Sequence, residues 1–205
     1  MSGSDRGVIP TIGLAGGIGA GKSRVAAILA DLGCLVSDSD ADARAVLADP
    51  EVVEALREWW GDEVVAADGT IDRRRVAARV FADPEARERL EALMHPRIHA
   101  RRAARFAAAP AGTRAFVIDA PLLFEAGLDA ECDAILFVDA PRARRLARVA
   151  ANRGWTAGEL TRREAAQWPN EKKRAKSTIV IDNAQDEDHT LRPRIEQALK
   201  AITRS

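Results

Sequence analysis

Short runs of apolar residues alternate along the chain with longer stretches in which apolar positions recur at helical spacing. The apolar runs predict five strands, at residues 8–15, 35–37, 115–119, 134–139 and 178–182. Helical periodicity follows the first strand over residues 23–32 and the fourth over residues 141–153. Because strands that alternate with helices form a parallel sheet, the pattern predicts an α/β fold. Ligands of such sheets bind beyond the carboxyl ends of the strands.

The loop after the first predicted strand matches the phosphate-binding pattern G-x-x-x-x-G-K-[ST] at residues 16–23. Its glycines allow the backbone N–H groups to approach phosphate oxygens, and the following helix adds partial positive charge. A glycine-rich turn without a ligand is the alternative, but the strand before and the helix after favour phosphate binding. The loop predicts a nucleoside triphosphate site in which Lys22 reaches the β- and γ-phosphates and Ser23 ligates Mg²⁺. The ATP-binding residues we expect there are Gly17, Gly19, Ala20, Gly21, Lys22, Ser23 and Arg24.

Two segments interrupt the regular alternation of strands and helices. Residues 41–112 have helical periodicity and are too long for one crossover helix, so we expect a helical insertion there. Residues 154–176 are polar and rich in arginine, and we expect them to pack poorly into a core and form a helical lid. The remaining segments, 8–40, 113–153 and 177–205, are expected to form the nucleotide-binding core of a single domain.

Acidic residues follow the predicted strands at the edge where the phosphates would bind. After the second strand come Asp38, Asp40 and Asp42, of which one could accept a proton or orient Mg²⁺. Helix capping explains acids at that place equally well. Asp119 ends the third strand and could hold Mg²⁺ through water. The apolar turn that follows, up to Glu125, could line an acceptor pocket or simply pack on the sheet.

Net charge is zero, with 31 basic and 31 acidic residues, so the whole chain gives no reason to expect nucleic acid or a membrane surface as partner. The charge is uneven, because residues 142–176 hold eleven basic side chains against three acidic ones. Solvated helices, nucleic-acid binding and contact with a triphosphate all fit such a segment. We favour the triphosphate, with Arg148 and Arg153 as its contacts, because aromatic residues and glycines are sparse there. Trp155 and Trp168 could cover adenine or anchor the lid.

Histidine and cysteine add little to this picture. His95 and His99 are four residues apart, but we expect Pro96 to make His95 a helix cap, which argues against a metal pair. Cys34 and Cys132 have no spacing typical of disulfides or zinc sites, and we expect two thiols in a reducing compartment. We find no leader and no membrane span in the sequence, so we expect a cytoplasmic protein.

The motifs together resemble the dephospho-coenzyme A kinase family from end to end. The resemblance rests on residues 13–23, Asp38-Ser39-Asp40 with Ala43-Arg44, His95-Pro96 with Ile98, Asp119-x-Pro121-Leu122-Leu123-Phe124-Glu125, Arg148, Arg153, Gln167 and Ile181-Asp182-Asn183. It implies a P-loop kinase with a five-stranded parallel sheet flanked by helices, an insertion that receives the acceptor, and a lid. It also implies ATP-dependent phosphorylation of the ribose 3′-hydroxyl of dephospho-coenzyme A, the last step of coenzyme A synthesis.

Site residues follow from the resemblance position by position. Asp40 matches the proposed base, Lys22 the phosphate lysine, Ser23 the Mg²⁺ ligand, and Arg148 and Arg153 the arginines near the phosphates. On the same basis we expect Asn183 to contact ATP. The expected acceptor contacts are Asp38, His95, Pro121, Leu122, Leu123, Phe124 and Glu125.

Two other classes of protein remain as alternatives. A kinase of the nucleoside, shikimate or gluconate type would share the core but lack the acceptor motifs. A GTPase-like switch should contain N-K-x-D and D-x-x-G, and the sequence contains neither. Oligomeric state stays open. Arg145, Ser177, Ala184 and Gln185 depart from the family pattern, and they bear on the lid and on adenine contacts.

Overall fold

The five apolar runs form one five-stranded sheet in the computed structural model, which describes residues 9–185 and 188–204. Its strands are β1 (Thr11–Gly16), β2 (Leu35–Asp38), β3 (Phe116–Asp119), β4 (Ala134–Asp139) and β5 (Ile179–Asp182). They lie in the order β2-β3-β1-β4-β5, and β1 pairs in parallel with β3 and β4, as β4 does with β5. The predicted α/β fold with a parallel sheet is confirmed. The first strand begins later than predicted, at Thr11, and Val8 lies outside the described residues.

Helices fill the stretches between the strands. In chain order they are α1 (Lys22–Asp31), α2 (Ser39–Leu47), α3 (Pro50–Trp60), α4 (Arg73–Ala82), α5 (Pro84–Ala107), α6 (Arg142–Arg153), α7 (Ala157–Glu164), α8 (Asn170–Ala175) and α9 (Asp188–Ile202). Two short 3₁₀ helices lie at Asp62–Val64 and Leu128–Glu131. None of the helices within 9–185 and 188–204 is long and apolar enough to cross a membrane.

The chain divides into two compact units, and the first contains the sheet, with the residues before Asp38 and those from Ala109 onward. Its core joins strands β1 and β4 to helices α1 and α9 through buried aliphatic side chains. On α1, Val25 and Leu29 are fully buried because residues four apart share one helical face. Each such side chain stabilises the fold by about 1.5–3 kcal/mol. The result is a rigid base for the loops at the carboxyl ends of the strands.

Four aspartates cap the helices of the second unit, Asp38–Ala108. Asp38, Asp49, Asp72 and Asp83 accept hydrogen bonds from the first backbone N–H groups of α2, α3, α4 and α5. Proline follows Asp49 and Asp83 at the first helical position, where its missing N–H costs nothing. The apolar faces of the four helices meet in a separate core around Val52, Leu56, Trp60, Val76 and Met94.

The expected helix break at His95 is wrong, because α5 runs without interruption from Pro84 to Ala107. A proline inside a helix removes one hydrogen bond and costs about 3 kcal/mol. In α5 that cost is offset by apolar burial on both sides of Pro96, since Ala86 and Met94 are buried and Ile98 packs against the same core. Arg97 also donates from its guanidinium to the Leu93 carbonyl, 3.1 Å away, in the turn before the proline.

Candidate active site

The glycine loop, residues 16–23, connects β1 to α1 at the carboxyl edge of the sheet. Gly21, the N-cap of α1, has φ of +94°, a conformation that other residues adopt only with strain. The side chain of Asn183 occupies the space that a Cβ atom at Gly21 would need. Both observations explain why the position before Lys22 is glycine. The loop ends where the N-terminus of α1 provides N–H groups and partial positive charge.

Lys22 begins α1 and forms an ion pair with Asp119 at the end of β3, where Nζ lies 3.1 Å from Oδ1. Both side chains are largely enclosed, with 16% and 14% of their surface exposed. The structure thus brings together two residues that are 97 positions apart in the chain. The pair places a cation and a carboxylate directly beside the glycine loop.

Three side chains hold the backbone of the glycine loop by hydrogen bonds to its carbonyl groups. Arg148 on α6 donates to the carbonyls of Ala20 and Asn183, at 3.1 Å and 2.9 Å. Asn183, just after β5, is buried and donates from Nδ2 to the Ala20 carbonyl at 2.7 Å. Arg145 donates to the carbonyl of Ile18 at 3.2 Å and pairs with Glu164 of α7. These contacts engage the carbonyls of Ile18 and Ala20 and so fix the shape of the loop.

The predicted lid, residues 154–176, consists of the two short helices α7 and α8. It packs better than its composition suggested, because Leu160 and Lys173 are both buried. Asn170, the first residue of α8, lies against the glycine loop so closely that a Cβ atom on Gly17 would be 2.7 Å from its Nδ2. A cleft of about 250 Å³ lies beside this contact, with Ile18 on one side and residues 167–171 on the other.

Arg153 ends α6, and its guanidinium lies 4.8 Å from the centre of the Trp155 ring. Arg163 lies over the same ring at 4.2 Å. Arg153 is five residues beyond Arg148, which is about 7.5 Å along the helix and 140° around it. The two arginines therefore project from different faces of α6. Trp155 packs with arginine side chains of its own segment.

The expected acceptor stretch after β3 divides into exposed and buried parts. Leu122 is 45% exposed, whereas Leu123 and Phe124 are at most 4% exposed and belong to the interior. Leu123 lies against Gly13 of β1, where an added Cβ atom would be 2.8 Å from it. Leu123 and Phe124 therefore agree with the alternative of packing on the sheet, and their contact with an acceptor stays a prediction. Pro121 and Leu122 remain as candidates.

Glu125 lies in a network of the first unit. Its Oε1 accepts from Lys173 Nζ at 2.9 Å and from the Trp168 N–H at 2.7 Å. Burial alone would raise the pKa of Glu125, but these two hydrogen bonds lower it below its ordinary value. Glu125 is therefore an ionised carboxylate at neutral pH, already paired within the protein.

The three acids after β2 differ sharply in their surroundings. Asp38 caps α2 by accepting from the N–H groups of Asp40 and Ala41, at 2.9 Å and 3.0 Å. Asp42 is 1% exposed and pairs with Arg105, 2.9 Å away. Asp40 is exposed in the first turn of α2. Asp38 is thus a helix cap, Asp42 is part of a buried ion pair, and Asp40 is an exposed carboxylate. His95, another expected acceptor contact, is exposed on α5 of the same unit.

Sequence reasoning missed the residues of the predicted lid that contact other parts of the first unit. Asn170 and Lys173 belong to a polar run in which no spacing marks one residue above its neighbours. In the sequence, Arg145 stands out only as a departure from the family pattern, although its guanidinium donates a hydrogen bond to the Ile18 carbonyl. A proline directly before Asn170 was the one available signal, since it predicts a helix start there.

The glycine loop, the lysine that opens α1 and the parallel sheet define the class of P-loop proteins, which hold a nucleoside triphosphate by its phosphates. The family model described as dephospho-CoA kinase matches residues 10–188. A dephospho-CoA kinase of Deinococcus radiodurans is 48% identical over 174 residues, which are 84% of this chain and 83% of that protein. The chain belongs to the dephospho-CoA kinase family.

Solved structures show the same fold. A crystal structure of a Thermus thermophilus protein superposes with a TM-score of 0.78 at 38% identity, covering 95% of this chain and 96% of that one. The structure of dephospho-CoA kinase from Campylobacter jejuni superposes with a TM-score of 0.69 at 22% identity, covering 95% and 97%. Because the Campylobacter jejuni protein is only 22% identical, its likeness to this chain concerns the fold alone. The family match favours this family over the nucleoside, shikimate and gluconate kinases and over a nucleotide switch.

Proposed function

We propose that this chain transfers the γ-phosphoryl group of ATP to the ribose 3′-hydroxyl of dephospho-coenzyme A, giving coenzyme A and ADP. The reaction is the last step of coenzyme A biosynthesis. The observation that supports it most strongly is the match to the dephospho-CoA kinase family over residues 10–188. The geometry of the first unit agrees with it, because a glycine loop, a lysine and a carboxylate converge at one edge of the sheet.

ATP binding is assigned to the glycine loop and the start of α1. Backbone N–H groups of the loop and the partial charge of the helix would hold the phosphate oxygens, with Ser23 and Arg24 in the first turn. Lys22 would neutralise charge that develops between the β- and γ-phosphates. Arg148 and Asn183 would act indirectly. Both donate hydrogen bonds to the Ala20 carbonyl and so fix the shape of the loop.

The residues near the glycine loop fit a magnesium ion that arrives with ATP. Mg²⁺ prefers oxygen ligands, keeps several waters, and needs only one or two protein groups beside the phosphates. The Ser23 hydroxyl and the Asp119 carboxylate are oxygen donors of this kind, and Asp119 already lies beside Lys22. When bound, the metal would offset negative charge on the phosphoryl group.

Activation of the acceptor is assigned to Asp40. In the transfer, the ribose oxygen forms a bond to the γ-phosphorus, the bond from that phosphorus to ADP breaks, and the hydroxyl proton passes to a carboxylate. Of the three acids after β2, Asp38 is engaged as a cap and Asp42 is buried against Arg105. The exposed carboxylate of Asp40 is the one open to an acceptor.

The two thiols support the proposal that the protein is cytoplasmic. Its proposed partners are the small molecules ATP and dephospho-coenzyme A. Neither Cys34 nor Cys132 forms a disulfide bond in the structure. Burial raises the pKa of Cys34 to about 11, although the nearby Arg114 opposes this, so this thiol is not a nucleophile at neutral pH. Cys132 donates to the Leu128 carbonyl at 3.2 Å. Thiols that are not joined in disulfides are typical of a reducing compartment.

The experiment compares ADP release by the wild type, Lys22→Ala and the control Lys200→Ala, with ATP and dephospho-coenzyme A as substrates. Lys200 is an exposed lysine on α9, so its loss should change little. Loss of Lys22 should reduce turnover by about two to three orders of magnitude while the fold stays intact. Near-normal turnover in Lys22→Ala would contradict the assignment of the phosphate site.

A further inference from the structure

A buried ion pair connects the turn after β3 to helix α8. Lys173 is 1% exposed, and its Nζ lies 2.9 Å from Glu125 Oε1 and 3.1 Å from Gln167 Oε1. The N–H of Trp168 donates to the same Glu125 oxygen at 2.7 Å. Lysine is almost never fully buried unless it is paired, because its charge is costly to desolvate. The carboxylate of Glu125 is therefore what permits Lys173 to lie inside the protein.

Trp168 is held at its ring as well as at its backbone. Phe124 stacks on it with a centroid distance of 5.8 Å and an interplanar angle of 8°. Lys172 lies over the ring as well, with Nζ 3.5 Å from its centre. Stacking and cation–π contacts each add to the hydrogen bond that Glu125 accepts from the backbone of Trp168. The ring and the backbone N–H of Trp168 are thus both held by neighbouring residues.

The residues that follow Trp168 contact the glycine loop. Pro169 is the N-cap of α8, and Asn170 begins the helix with its carboxamide against Gly17. A shift of Trp168 would therefore move Asn170 relative to the loop that we assign to the ATP phosphates. Glu125 Oε2 is also buried, and it has no hydrogen-bond partner among the described residues. Neither oxygen of Glu125 is open to an acceptor that approaches from solvent.

We propose that Glu125 and Lys173 are positioning residues, which fix Trp168 and Asn170 against the glycine loop and so set the geometry in which ATP binds. This assigns Glu125 to the nucleotide side of the reaction, although its place in the sequence suggested an acceptor contact. The inference rests on the proposed function only for the identity of the acceptor. The contacts themselves lie within the first unit.

The test uses Glu125→Gln and Lys173→Met, with Asp129→Asn as a matched control. Asp129 pairs with Lys176 at 3.8 Å and joins the same two segments through an exposed contact. Three quantities are measured: ATP affinity by calorimetry without acceptor, the KM of each substrate, and hydrogen exchange across residues 168–175. Both variants should weaken ATP binding by about tenfold to a hundredfold, the loss typical of a slightly misplaced site. The KM for dephospho-coenzyme A should change by less than about twofold, and exchange in α8 should accelerate.

Two results would overturn the proposal: a raised KM for dephospho-coenzyme A with unchanged ATP affinity, or unchanged ATP affinity with faster exchange. If either variant fails to fold, Trp168→Ala replaces it, because Trp168 is only partly buried and belongs to the same network. Trp168→Ala should show the same loss of ATP affinity, and normal affinity would again refute the proposal. Calorimetry and exchange need no acceptor, so they decide the inference even if the wild type does not phosphorylate dephospho-coenzyme A.

Discussion

Replacing Asp42 by asparagine should reduce stability and leave the chemical step intact. The carboxylate is 1% exposed, and its Oδ1 lies 2.9 Å from Arg105 Nη2 and 3.9 Å from Arg101 Nε. A hydrogen bond to a charged partner contributes about 1.5–3 kcal/mol. Both arginines are more than one third exposed, so solvent screens the pair, and asparagine still offers an acceptor oxygen. We therefore expect a loss of about 1–2 kcal/mol in the free energy of unfolding, or about 2–8 °C in Tm.

The assay combines urea unfolding with steady-state kinetics, and Asp40→Asn serves as the matched variant two residues earlier. Asp40 is exposed, so its replacement should change stability by less than about 0.5 kcal/mol. Its turnover should fall by about 10² to 10⁴, the contribution of a general base. A stable Asp42→Asn protein whose turnover falls as far as that of Asp40→Asn would refute the reasoning, because the buried carboxylate would then be part of the chemistry.

Two further predictions concern the phosphate site. Gly21→Ala should weaken ATP binding more than tenfold, because φ of +94° costs about 1–2 kcal/mol with a Cβ atom and the Asn183 amide must also give way. Gly158→Ala in α7, where the nearest atom would be 3.8 Å away, is the control in the same calorimetric titration, and equal affinity of both variants would contradict the strain argument. Arg153→Ala should lower turnover by up to about 10³ and ATP affinity much less, if the arginine acts in the transition state. Steady-state turnover and direct ATP binding are measured for Arg153→Ala and for the control Arg162→Ala, whose side chain is exposed. Weaker ATP binding at unchanged turnover in Arg153→Ala would make Arg153 a binding contact.

The sheet and the glycine loop could be predicted because their signals are local. Each strand is a short apolar run, and the predicted ends lie within three residues of the observed ones. In the glycine loop, the pattern of glycines with Lys22 and Ser23 is recognisable within a few positions of sequence. The prediction for Lys22 needed no knowledge of Asp119, although the two side chains lie 3.1 Å apart.

The remaining features depend on packing that no local pattern records. The turn after β3 decides that Leu122 is exposed whereas Leu123 and Phe124 are buried. Lys173 reads as one more cation in a basic run, and only the fold brings Glu125 to it. Pro96 is tolerated in α5 because burial of the surrounding helix offsets its local cost.

The acceptor panel tests the central claim most directly. ADP release from ATP is measured with dephospho-coenzyme A, adenosine, shikimate and gluconate in parallel, and ³¹P NMR locates the new phosphate in the product. We expect rapid release with dephospho-coenzyme A alone, and a product phosphorylated at the ribose 3′-hydroxyl. Equal rates with adenosine, or a phosphate at another position of the product, would contradict the proposed function.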